Sequence, residues 1–114
     1  MIDFDKMPYI YWDDNLKMSV LQRHIIVHSI LYYECNCNVV SDKEYDSLSR
    51  QLVEMMKENS EEYKKTDYYY CMYDFDSSTG FDLPDRLTKK DRERLTKLAL
   101  QISNSYKREV LGKW

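Results

Sequence analysis

Leu31-Tyr32-Tyr33, then seven connecting residues, then Ser41-Asp42-Lys43-Glu44-Tyr45-Asp46-Ser47-Leu48 is the stretch that decides how this 114-residue chain reads. Upstream of it, Asn15 to about Asn36 holds no glycine or proline. Leu16, Val20, Leu21, Ile25, Val27 and Leu31 recur there at helical spacing, which predicts one long helix. Downstream, Ser41 and Glu44 stand three apart as a capping box, and Val40 and Tyr45 occupy the positions of a hydrophobic staple. Tyr45, Leu48, Leu52, Met55 and Met56 then continue on one face of a second helix, with the polar cluster 59–62 following it. The asparagine-bearing link Cys35–Val40 is too short and polar to be an element, so residues 15–58 are expected to form an antiparallel helical hairpin.

Working outward, Thr88 and Asp91 mark the start of a third long helix. Leu95, Leu98, Ala99, Ile102, Tyr106 and Val110 give it an apolar stripe, so 88–112 reads as a basic amphipathic helix. Between hairpin and helix lies an acidic, aromatic connector, 67–87. Its run Tyr68, Tyr69, Tyr70, Tyr73 and Phe75, followed by Asp-Ser-Ser-Thr-Gly and by Phe81 and Leu83, suggests a small β-hairpin around 68–83. The fold class expected is mainly α, built as a single domain over 1–114, since a chain of this length normally has one core.

Composition narrows the function. Seventeen basic and 20 acidic residues give a net charge of −3, which argues against a protein whose main task is to coat nucleic acid. The charge is uneven: residues 67–86 carry −4 and residues 88–114 carry +5. No leader-like segment and no apolar run approaching the ~20 residues of a membrane span is present, so a cytoplasmic protein without membrane attachment is expected. Cys35, Cys37 and Cys71 read as reduced thiols, because a CxC with one distant cysteine is a poor zinc set. His24 and His28 are four apart but have no third ligand nearby in sequence, so no metal is expected. The eleven tyrosines, against two glycines and two prolines, exceed what a core of this size would use.

The chain carries no Walker loop, GxGxxG, HExxH or GxSxG. The informative constellation is the turn of the first hairpin. Two aromatics at the end of one helix face an aromatic and two carboxylates at the start of the next. Tyrosine faces stack a flat heterocycle and attract a cationic one. Asp42 and Asp46 lie on one side of the second helix, where they can accept hydrogen bonds from ribose hydroxyls or a carboxamide. The same residues could instead pack the hairpin and complement the helix dipole.

The run from about Leu16 to Met56, above all Leu-Tyr-Tyr and Val-Ser-Asp-Lys-Glu-Tyr-Asp-Ser-Leu, resembles the N-terminal helical hairpin of the bacterial NAD-dependent DNA ligases over about a third of the chain. In that family the hairpin captures the nicotinamide mononucleotide half of NAD. The resemblance implies that Tyr32, Tyr33, Asp42, Tyr45 and Asp46 bind NAD, nicotinamide mononucleotide or a related nucleotide. The chain lacks the Lys-x-Asp-Gly motif at which those ligases form lysine-AMP, and it has no room for their nucleotidyltransferase domain, so a non-catalytic module is expected. The high tyrosine, lysine and aspartate content also resembles that of phage or mobile-element proteins. The alternative is therefore a small interaction protein, such as an anti-CRISPR or other anti-defence protein, with the hairpin as scaffold only. It would dock a protein partner through Tyr70, Tyr73, Asp74, Asp76 and Asp82, since tyrosine suits interface cores and carboxylates steer toward basic surfaces.

Overall fold

The computed structural model describes residues 2–7, 10–37, 39–77 and 81–110, the last three by their helical backbone alone. Its helices are α1 (Asp14–Tyr33), α2 (Asp42–Glu58), α3 (Ser60–Tyr63), α4 (Tyr69–Met72) and α5 (Lys89–Val110), with single 3-10 turns at Phe4–Lys6 and Pro84–Arg86. The mainly α class is therefore as expected. No strand occurs among the described residues.

Local sequence sets the helix boundaries. The Asp13 carboxylate accepts from the Leu16 amide at 2.7 Å, the Ser41 hydroxyl from the Glu44 amide at 3.2 Å, and the Thr88 hydroxyl from the Asp91 amide at 3.2 Å. Each satisfies an amide that a helix start leaves without a partner. At the other end of α1, Asn36 adopts a left-handed φ of 49°, and the Cys37 amide returns to the Leu31 carbonyl at 2.9 Å. That reversal ends α1 and turns the chain toward α2.

α1 is the central element. It packs against both α2 and α5 and also touches α3 and the Pro84–Arg86 turn. Met18, Leu21, Ile25, Ile26, Ile30 and Leu31 are all essentially inaccessible, and they spread around the helix rather than along one stripe. A helix covered on several sides needs apolar residues on several sides. Leu52 from α2, Met72 from α4 and Leu95 and Ala99 from α5 complete the core.

Among the described residues of 68–83 the expected β-hairpin is not formed. The chain there makes the short helix α4, then turns, and reaches the Pro84–Arg86 turn. Ser78, Thr79 and Gly80 of the expected turn lie outside the described residues. Two polar residues of α1 explain the difference. Gln22, fully buried, donates to the Thr66 hydroxyl at 2.8 Å and accepts from the Tyr68 amide at 3.1 Å, while the Ser19 hydroxyl accepts from the Asp67 amide at 3.1 Å. These side chains take the backbone donors that a strand ladder would have used. The tyrosines then pack onto helices. Tyr63 and Tyr68 are buried, the Tyr63 hydroxyl donates to the Met72 carbonyl at 2.6 Å, and Tyr69 meets Tyr63 edge-on at 5.6 Å. Burial pushes the Tyr63 phenol up to about 12, in keeping with a structural hydroxyl.

Candidate functional site

The end of α1 and the start of α2 form the turn that the sequence singles out. Tyr32 and Tyr33 occupy the last turn of α1, with rings edge-to-face at 4.8 Å and side chains 47% and 50% exposed. Tyr45 rises from the first turns of α2, half-buried against α1, with its hydroxyl 3.2 Å from the Ser29 Oγ. Since Ser29 lies one turn before Tyr33 on α1, this contact draws Tyr45 alongside Tyr33. Burial raises the Tyr45 pKa, and nearby Tyr33 and Asp46 add to that rise. Tyr33, Tyr45 and Asp46 thus share one neighbourhood.

Asp42 and Asp46 are both exposed, one turn apart on one side of α2. The turn therefore carries two exposed tyrosines and two exposed carboxylates. Phe81, from the connector, brings its ring to 6.4 Å from that of Tyr33 at an interplanar angle of 68°, extending the aromatic row. The end of α1 is pinned from the other side by an ion pair between Glu34 and Arg92 of α5. Sequence reasoning missed Ser29 and Phe81. The signal for Ser29 was a polar residue four before Tyr33 on an otherwise apolar face; Phe81 carried none, because only the tertiary fold brings it near.

The second set of candidate residues is arranged differently. The Tyr70 hydroxyl donates to Asp91 at 2.5 Å and accepts from the Thr88 amide at 3.2 Å. Asp74 and Asp82 both pair with Arg86, at 2.6 and 2.9 Å, and Arg86 also lies 5.9 Å from the Tyr73 ring centre. The hydrogen bond from Arg86 holds the Asp74 carboxyl below its ordinary pKa. Asp76 is exposed. Tyr70, Asp74 and Asp82 are thus engaged within their own chain.

His24 and His28 are half-buried on α1, with ring centres 6.1 Å apart. Burial, then the neighbouring His24, pull His28 down to about 4, so it is neutral near pH 7. Among the described residues no group of three or more His, Cys, Asp or Glu side chains is placed to hold a metal. No helix among them is long and apolar enough to cross a membrane. An apolar groove of about 350 Å³ between Val39 and Leu98, Ile102 and Tyr106 of α5 contains none of the five turn residues.

Comparison with known proteins gives one informative relationship. No family model matches the chain, and no solved structure matches it. It is similar to a DNA ligase of Endomicrobium trichonymphae, 28% identical over 107 residues. That match takes in 86% of this chain and 13% of the ligase. The similarity is therefore wider than the hairpin, and it reaches into regions that show no ligase pattern by motif. The chain is related in sequence to a small part of a DNA ligase.

Proposed function

We propose that this chain is a nucleotide-binding helical module that takes the nicotinamide mononucleotide portion of NAD, or a closely related nucleotide, at the turn between α1 and α2. The observation that carries the reading is the joint placement of Tyr33, Tyr45 and Asp46, with Tyr32 and Asp42 flanking them. Aromatic faces beside two carboxylates suit a flat, positively charged ring bearing a sugar. The similarity to a DNA ligase supports the same ligand, through the five-position resemblance to the nicotinamide-capturing hairpin of the NAD-dependent enzymes. The role proposed is binding and positioning rather than bond-making. A reaction on the bound nucleotide would use groups supplied by another domain or another chain. Docking of a basic partner through the connector is the weaker reading, because Asp74 and Asp82 are engaged with Arg86.

Calorimetric titration with NAD and with nicotinamide mononucleotide tests the proposal. Saturable heat below about 1 mM ligand is expected, weakened at least about tenfold by Asp46→Ala, as for loss of a hydrogen bond to a charged group. Absence of heat from both ligands at millimolar concentration sinks it.

A further inference from the structure

Ser29 turns a polar atom toward the nucleotide site from inside the core. The residue is only 1% exposed, and its hydroxyl has a single proton to give. Its Oγ lies 2.9 Å from the Ile25 carbonyl oxygen, the back-bond that a helical serine makes to the preceding turn. A carbonyl can only accept, so the serine proton is committed to Ile25. The Tyr45 hydroxyl sits 3.2 Å from that same Oγ. With the serine proton already engaged, Tyr45 is the donor and Ser29 the acceptor. A phenol also has one proton, so the Tyr45 oxygen is left with lone pairs alone to offer a ligand.

We infer that Ser29 is a positioning residue that fixes the hydrogen-bond polarity of the nicotinamide site, making it select the carboxamide of nicotinamide over the carboxylate of nicotinic acid. The inference rests on the nucleotide-binding reading above. Asp42 and Asp46, as carboxylates, accept and do not donate. Tyr45 adds to that set a hydroxyl whose polarity could go either way, and Ser29 decides it. A primary carboxamide supplies two N–H donors to such an acceptor set. A carboxylate supplies none, is repelled by Asp42 and Asp46, and finds the Tyr45 proton held inward on Ser29. A free Tyr45 hydroxyl would serve either ligand.

The test is a cycle of dissociation constants for nicotinamide mononucleotide and nicotinic acid mononucleotide, measured by calorimetry on the full chain. It uses the natural protein, Ser29→Ala, Tyr45→Phe and the double variant, with helicity checked by circular dichroism. The natural protein is expected to prefer the amide. Ser29→Ala should narrow that preference about fivefold or more, the worth of one oriented hydrogen bond. In the Tyr45→Phe background Ser29→Ala should leave the preference unchanged. A Ser29→Ala variant that weakens both nucleotides equally, or narrows the preference as much without the Tyr45 hydroxyl as with it, overturns the inference and leaves the nucleotide site standing. If Ser29→Ala does not fold, Tyr45→Phe alone decides, since an unchanged preference in that variant also overturns it. Binding of neither nucleotide by the natural protein removes the site itself, and the inference with it.

Discussion

Two regions of this molecule are built from the same residue types and use them differently. In the connector several are tied into the fold: Tyr68 is 3% exposed, Tyr70 bonds Asp91, and Asp74 and Asp82 grip Arg86, while Tyr73 stays 57% exposed. At the α1–α2 turn, Tyr32 and Tyr33 are half exposed and Asp42 and Asp46 face solvent. Composition cannot separate these uses. What separates them is which partners the fold supplies. Side chains of α1 and the first turns of α5 bond the connector's polar groups, whereas at the turn Tyr33 meets the rings of Tyr32 and Phe81.

The contrast can be broken from the connector side first. Gln22→Leu strips the Tyr68 amide of its partner and the buried Thr66 hydroxyl of one of its two, and a loss of about 2–4 kcal/mol is expected in urea unfolding. The protein that remains folded should keep its nucleotide affinity within about twofold, because the two regions share no contact at Gln22. A larger change in affinity would mean that the regions are coupled.

Next in size is a pH effect near the turn. His28 has a folded-state pKa of about 4 against an ordinary 6.5, so the unfolded chain takes up its proton first as pH falls. The stability this contributes is fully present above 6.5 and is lost as pH falls from 6.5 toward 4. Partial exposure of the ring limits the loss to about 2 kcal/mol. Denaturant titrations across that window should show the decline, and His28→Leu should flatten it.

The turn side gives the reciprocal result. Asp46→Ala should change stability by no more than about 0.5 kcal/mol, as for an exposed residue with no structural partner of its own, while lowering nucleotide affinity. Loss of stability with unchanged affinity would reverse the roles given to the two regions. The smallest effect is expected from Arg86→Met. It releases the exposed carboxylates of Asp74 and Asp82, and solvent-screened pairs contribute little, so thermal midpoint and nucleotide affinity should both stay near those of the natural protein.

Much of this was legible in the sequence where the signals are local. Ser41 and Thr88 cap the helices they were expected to cap, and the spacing from Tyr32 to Asp46 identified residues that the hairpin does bring to one end of the molecule. The connector was misread because tyrosine favours strands only when a strand neighbour exists. Here Ser19 and Gln22, more than 40 residues earlier, capture its amides instead. The same long-range origin hid Phe81. Ser29 was overlooked for a different reason: a helical serine satisfies its own proton on the preceding turn, so its second role depends on a tyrosine from another helix.

The central claim is that the α1–α2 turn, and not the connector, is the part of this chain that meets a ligand. Titration of nicotinamide mononucleotide into isotopically labelled protein, followed by amide chemical shifts, tests it most directly. The account predicts saturable shifts concentrated at residues 29–46, with the amides of 63–76 unmoved. Shifts concentrated in the connector, or none at saturating nucleotide, would contradict it.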